Sequence, residues 1–221
     1  MAMHRGGGLV PSAGDVLLAS FPKSGMTWLK ALAIATTARR ACPPPASPDH
    51  PLRRLNPHDC VPLLERLFAA GRTRKIDWSP SGTFGNAMCQ ICCYKKCMSL
   101  YRASKIDPGR VLFLKYEEVL RDPVNTIREL AQFVGQPFSD TEEEAGIVAE
   151  IVKLCSLESL RSQKANKEGI QGVYIKFSHD SYFRKGVEED WRNHMTPEMA
   201  EMGEHLDSII REKLDGSGLT I

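Results

Sequence analysis

The sequence predicts an α/β fold in which a parallel sheet is flanked by helices, and three observations carry that expectation. A short apolar run, Asp15-Val16-Leu17-Leu18-Ala19-Ser20, passes through a glycine-containing loop into a stretch with helical periodicity; such a run, bounded by turn residues, suits a strand buried on both faces of a parallel sheet. A second apolar run, residues 110–116 (RVLFLKY), stands behind the turn Asp107-Pro108-Gly109 and has the same character. Amphipathic helical stretches follow both, with no internal repeat, which is the pattern of a layered α/β domain.

Composition narrows the possibilities. In 221 residues, 29 Lys and Arg stand against 27 Asp and Glu, a formal net charge of +2, which argues against a nucleic-acid arm or an acidic tail, and no nucleic-acid partner is expected. Hydrophobic residues at 42% are enough for one sizeable core. No stretch approaches the roughly 18–20 consecutive apolar residues of a membrane span, and the opening MAMHRGGGLVPSAGD has no apolar segment of the secretory type. A cytoplasmic chain without membrane attachment is expected. Residues 1–14 read as a mobile leader and residues 15–221 as a single domain. The seven cysteines, an odd number, read as reduced thiols. Four of them, Cys89, Cys92, Cys93 and Cys97, can be taken for metal ligands, but they lack a second separated pair, and their spacing also places them on one helix face as small hydrophobes. No metal is expected.

From Thr27 to about Arg40 the sequence favours helix, with Trp28, Leu29, Leu32, Ala33 and Ala35 on its apolar face and Arg39 and Arg40 at its C-terminal end. Residues 43–48 (PPPASP) form a polyproline-like linker, and residues 60–70 a short amphipathic helix. Asp122-Pro123 reads as N-cap and first helical residue, with Ile127, Leu130 and Ala131 at core spacing and Gly135 as the stop. Ser139 and Glu142 have capping-box spacing, and Ile147, Val148, Ile151, Val152 and Leu154 give the next apolar face. Thr196-Pro197 opens a last helix whose buried side is expected to be Met199, Met202, Leu206, Ile209, Ile210 and Leu214, ending at Gly216.

The most informative feature is the loop after the first strand, Phe21-Pro22-Lys23-Ser24-Gly25-Met26-Thr27-Trp28. Successive N–H groups at a helix N-terminus form an anion site, and Gly25 lets the backbone approach closely. Lys23 can neutralise a phosphoryl or sulfuryl oxygen, Ser24 and Thr27 offer hydroxyls, and Trp28 can stack on a base. The bland alternative is a tight turn without a ligand. The spaced first Gly of a Walker A loop is absent, which counts against a small-molecule kinase, the reading from another class. A second basic cluster lies at Ser181-Tyr182-Phe183-Arg184-Lys185-Gly186, ahead of Asp190-Trp191-Arg192-Asn193.

PKSGMTW after the first strand and FRKGVEEDW near the C-terminus together resemble the cytosolic, plant-type sulfotransferases, and the resemblance extends through NPHDC at residues 56–60 and from residue 107 onward. The resemblance implies a parallel-sheet fold like that of P-loop kinases. It also implies transfer of a sulfuryl group from 3'-phosphoadenylyl sulfate to a hydroxyl of a small molecule. By that resemblance the loop at Lys23, Ser24, Gly25, Met26, Thr27 and Trp28 cradles the 5'-phosphosulfate, and Arg184, Lys185 and Gly186 hold the 3'-phosphate. Tyr116 touches the cofactor, and Cys155, Ser156, Leu157, Glu158, Ser159 and Leu160 border the adenine.

The sequence departs from the family in three ways. Met26 replaces a threonine and Leu157 an aromatic, each removing one donor or stacking surface worth about 1–3 kcal/mol. The strands that normally carry the catalytic histidine have no counterpart between residue 60 and Asp107, so central strands are expected to be missing. Of the six histidines, His4, His50, His179, His194 and His205 follow no predicted strand end, and His58 reads as an exposed or cap-forming residue of an Asn-Pro-His-Asp turn. No catalytic base is assigned, and a catalytically inactive member with weak or no nucleotide binding is the alternative. RNHMTPEMAE at residues 192–201 only partly matches the family's dimer motif, so oligomeric state stays open.

Overall fold

The computed structural model describes residues 16–18, 24–44, 47–61, 86–88, 94–171, 176–187 and 193–219. The expected leader, the helix of residues 60–70 beyond Val61, Lys23, and Cys89, Cys92 and Cys93 lie outside the described residues. The described residues divide into two compact units, one ending at Arg184 and one from Lys185 onward.

In the first unit, strand β1 (Val16–Leu18) pairs in parallel with β2 (Asn86–Met88), Leu17 opposite Ala87. Helix α1 (Met26–Ala38) follows β1 as expected and buries Ala31, Leu32 and Ala35 completely or nearly so. Two single-turn helices come next, α2 (Pro51–Arg54) and α3 (Pro57–Cys60), each with Pro at its start, where the missing N–H costs nothing. His50 caps α2 by accepting from the Leu52 N–H, and Asn56 caps α3 by accepting from the His58 N–H. The Pro-rich stretch ahead of them is no free linker: Pro44 is fully buried and its carbonyl accepts from Arg53 at 3.0 Å. Helix α4 (Tyr94–Ile106) carries Cys97.

Residues 110–116 do not form the expected strand. Val111 makes an isolated bridge, residues 112–115 run on without ladder pairing, and Tyr116 already opens helix α5 (Tyr116–Arg121). A strand is defined by its neighbours, and apolar residues without a paired ladder on either side settle as half-buried extended chain.

Helix α6 (Pro123–Phe133) starts as expected, with Asp122 accepting from the Asn125 N–H. It stops at Gly135 (φ 70°), where the Gln136 N–H reaches back to the Ala131 carbonyl at 2.8 Å and the Gly135 N–H to that of Gln132 at 3.0 Å, a Schellman closure. The Ser139/Glu142 capping box is formed in both directions. It opens only a short helix, α7 (Asp140–Glu144), because Gly146 in the left-handed region breaks the chain before α8 (Ile147–Leu154). Then follow α9 (Leu157–Ser162), α10 (Lys164–Lys167), the antiparallel pair β3 (Ile170–Gln171) and β4 (Phe177–Ser178), and a 3-10 turn, His179–Tyr182.

Among the described residues of this unit one hydrophobic cluster forms the core. Ala31, Leu32 and Ala35 of α1 meet Leu52, Val119, Ile127, Leu130, Ile151, Leu154, Leu160 and Phe183. Arg39 extends α1 into a buried polar clamp: its side chain is fully buried, Nε donates to Glu142 at 2.8 Å, Nη1 to the Thr36 carbonyl at 2.8 Å, and Nη2 to the Gln136 and Pro137 carbonyls at 2.7 and 3.0 Å. Its role is this anchoring of the α6–α7 connection rather than a simple helix-end charge.

The second unit contains a last helix, α11 (Pro197–Leu214), with Thr196 capping it as expected. Its predicted buried side is not buried: Met199, Met202 and Leu206 are exposed, Met202 by 73%, and of the stripe only Leu214 is buried. Periodicity marks an apolar face but does not supply the surface that covers it.

Candidate functional site

The site is built where β1 hands over to α1. Gly25 is the N-cap with φ 85° and ψ 12°, a left-handed conformation that strains any other residue. No side chain caps α1, and its first turn carries no acid. The Leu29 N–H donates to the Gly25 carbonyl at 2.9 Å, so the N–H groups ahead of it are those that a helix leaves without intrahelical partners. The macrodipole adds partial positive charge in the same place.

Tyr116, the first residue of α5, lies directly on this turn. A Cβ on Gly25 would stand 2.6 Å from Tyr116 Cδ2 and 2.8 Å from Cε2. Trp28 meets Tyr116 edge-on, with centroids 6.0 Å apart and planes at 78°. Three of the expected site residues, Gly25, Trp28 and Tyr116, are thus brought together although Tyr116 is far away in sequence. Met26 is the first helical residue and is half-buried.

Thr27 points to a group that sequence reasoning missed. Its Oγ1 is 2.8 Å from His58 Nε2, and the Lys30 ammonium, one turn along α1, is 3.2 Å from His58 Nδ1. Lys30 is only 4% exposed. The His58 ring stacks on Tyr182 at 4.3 Å and 29°. Burial, the nearby Lys30 cation and His179 together push the His58 ring down to about 3, so it is neutral at physiological pH. His58 is therefore not the exposed or capping residue expected of its turn. Asn56 does the capping, and its amide donates to Asn166, which in turn donates to the Leu160 carbonyl, each at 2.8 Å. The i, i+3 spacing of Thr27 and Lys30 was the one visible signal.

His179, also passed over, follows strand β4, with its Nδ1 2.8 Å from the Ala165 carbonyl and its Nε2 4.0 Å from Asp59. Gly169 (φ 110°) lies against the ring, where a Cβ would come within 2.8 Å.

The segment expected to border an adenine is partly structural. Cys155 and Leu160 are buried in the core, and Ser156 caps α9 by accepting from the Ser159 N–H at 3.1 Å. Leu157 packs at the edge of the same core as Trp28. Leu157 and Glu158 line an open cavity of about 450 Å³ with Arg161, Ser162 and Lys167. Arg184, at the end of the first unit, is exposed and follows the buried Phe183; Lys185 and Gly186 are exposed, with Gly186 at φ 65°. Among the described residues no cluster of His, Cys, Asp or Glu is arranged to hold a metal ion.

Comparison with known proteins assigns the chain. Residues 87–218 match the model of the sulfotransferase domain. The flavonol 3-sulfotransferase of Flaveria bidentis is 34% identical, the match taking in 94% of this chain and 84% of that protein. Cytosolic sulfotransferase 1 of Arabidopsis thaliana is 33% identical over 95% of this chain and 81% of its own length. The Flaveria match runs over 267 residues while 94% of 221 is about 208, so roughly 60 positions of the relative have no counterpart here. Among solved structures, an Arabidopsis thaliana protein described provisionally as a steroid sulphotransferase superposes with a TM-score of 0.64 at 24% identity, over 96% of this chain and 80% of that one. Mouse sulfotransferase SULT7A1 complexed with PAP gives 0.53 at 17%, over 96% and 86%. The fold is thus the sulfotransferase fold, related to that of P-loop kinases, no helix among the described residues is long and apolar enough to cross a membrane, and the chain belongs to the sulfotransferase family.

Proposed function

We propose that this chain binds 3'-phosphoadenylyl sulfate and transfers its sulfuryl group to a hydroxyl of a small molecule. The observation that carries the reading is the uncapped, acid-free first turn of α1 behind a left-handed Gly25, in a chain of this family. Its N–H groups and the Thr27 hydroxyl fit an anion, and Lys23 is the cation expected beside it. Trp28 and the segment Cys155 to Leu160 are the candidates for the adenine, and Arg184, with Lys185 and Gly186 next to it in sequence, for the 3'-phosphate. In the reaction the acceptor oxygen bonds to sulfur as the bond from sulfur to the 5'-phosphate oxygen breaks, leaving adenosine 3',5'-bisphosphate and an acceptor proton to be removed. The flavonol acceptors named for relatives make phenolic hydroxyls the first class to test.

A second reading, binding without transfer, is favoured by the roughly 60 positions of the Flaveria relative that have no counterpart in this chain's 221 residues. It is also favoured by the state of His58, since a ring held neutral down to about 3 is too weak a base to take the acceptor proton. Calorimetry with adenosine 3',5'-bisphosphate and turnover of labelled donor with phenolic acceptors separate the two. Binding with turnover that is abolished by Lys23→Ala and insensitive to a metal chelator supports the first; binding with no turnover above background supports the second; absence of binding by a folded sample removes both. Tight ATP and magnesium binding that the bisphosphate does not compete would instead indicate a kinase.

A further inference from the structure

We propose that His58 is a positioning residue that commits the Thr27 hydroxyl to donate its hydrogen to an anion held at the N-terminus of α1. The inference rests on the nucleotide-binding reading above and specifies how one side chain of that site is oriented. An ammonium has three hydrogens and no lone pair, so the Lys30 contact to Nδ1 at 3.2 Å runs from lysine to histidine, and Nδ1 is the bare nitrogen. In a neutral ring the hydrogen is then on Nε2, and the 2.8 Å contact to Thr27 Oγ1 runs from histidine to threonine. Thr27 is an acceptor in that bond, and its own hydrogen is directed elsewhere.

Thr27 is the second residue of α1, within the uncapped turn where the N–H groups converge. The histidine thus turns a hydroxyl that can either donate or accept into one that presents hydrogen to the anion. The ring is held for this task from three sides: Tyr182 stacks on its face, Asn56 accepts its backbone N–H at 2.9 Å, and Lys30 fixes the tautomer. Without it a threonine hydroxyl in a first turn rotates among local backbone partners.

The test uses the whole chain and two probes, adenosine 3',5'-bisphosphate, which carries a 5'-phosphate, and adenosine 3'-monophosphate, which does not. His58→Ala is expected to weaken the bisphosphate about tenfold or more, the usual scale for a hydrogen bond to a charged group, and to leave the monophosphate unchanged. Thr27→Val should give the same loss, and the double variant no further loss, because His58 acts through Thr27. His58→Gln, whose amide hydrogens reach about as far as Nε2, should restore most of the affinity. Nitrogen NMR of the unliganded wild-type chain should show the hydrogen of His58 on Nε2. Equal weakening of both probes, additive losses in the double variant, or the hydrogen on Nδ1 would each overturn the proposal. Wild type that binds neither probe would overturn the nucleotide-binding reading itself, whatever tautomer the NMR shows.

Discussion

Replacing Gly25 by alanine tests the geometry of the turn that opens α1 with two separable costs. The first is backbone: at φ 85° an L-residue is in the left-handed region, which costs about 1–2 kcal/mol. The second is contact: the new Cβ would stand 2.6 and 2.8 Å from Tyr116 Cδ2 and Cε2, whereas carbon atoms pack at about 3.5–4.0 Å. The ring must retreat by roughly 1 Å, giving up an edge contact to Trp28 of the kind worth about 0.5–1.5 kcal/mol. The expected loss is therefore about 1.5–3.5 kcal/mol, read from urea unfolding of wild type and variant. Tyr116→Ala removes the obstacle, so in that background Gly25→Ala should cost only the backbone part, about 1–2 kcal/mol. A loss below about 0.5 kcal/mol in wild type, or the same loss in both backgrounds, would refute the claim that Tyr116 packs directly against this turn.

The remaining predictions concern the first unit's buried polar groups and thiols. Arg39→Ala takes a buried guanidinium away from the Glu142 carboxylate, which keeps the Ser139 N–H, and from the Thr36, Gln136 and Pro137 carbonyls, and should cost about 3–5 kcal/mol; urea unfolding within 1 kcal/mol of wild type would contradict it. Glu142 predicts the acid behaviour. Burial alone would raise its carboxyl, but the Ser139 N–H and the Arg39 guanidinium outweigh that and hold it below its usual value of 4.5. This contribution is fully present above that value and is lost as the pH falls through the lower folded-state value; in Glu142→Gln the acid-side slope of stability should flatten. Asn166→Ala removes the link between Asn56 and the Leu160 carbonyl and should cost about 1–3 kcal/mol, with unfolding by urea the measure. Burial pushes the Cys155 thiol far up, and burial with the neighbouring Asp59 pushes the Cys60 thiol up to about 11. Both should resist alkylation in the folded chain at neutral pH and react on unfolding; rapid native-state labelling of Cys155 would show that its helix opens.

Local chemistry was the legible part of this chain. Caps at Asp122, Ser139 and Thr196 and the stop at Gly135 depend on a few neighbouring residues, and each formed as read. The turn at Gly25 was legible for the same reason, because Gly25 and the helix behind it are contiguous. What failed depends on distant partners. Residues 110–116 have the composition of a strand, but only Val111 finds a bridge. Met199, Met202 and Leu206 keep helical spacing and still face outward. Arg39 reads as a helix-end charge and is instead a clamp on carbonyls nearly a hundred residues away. His58 looked like a turn residue because its contacts come from α1 and from Tyr182, and neither is predictable from the turn itself.

Holding a nucleotide and transferring its sulfuryl group make opposite demands on a histidine, and His58 meets only one of them. A positioning donor works best neutral, buried and fixed in one tautomer, which is what Lys30 and Tyr182 impose. A general base must instead take a proton near neutral pH, with its bare nitrogen toward the acceptor. The bare nitrogen of His58 faces Lys30, and the other faces Thr27. Among the described residues, His58 is therefore placed to orient the Thr27 hydroxyl and not to deprotonate an acceptor. On the proposed function, a substitution at His58 should lower turnover only in proportion to donor affinity. If His58→Gln restored affinity yet abolished turnover at saturating donor, the ring itself would have to take part in the transfer, and the division of roles argued from Lys30 and Thr27 would be wrong.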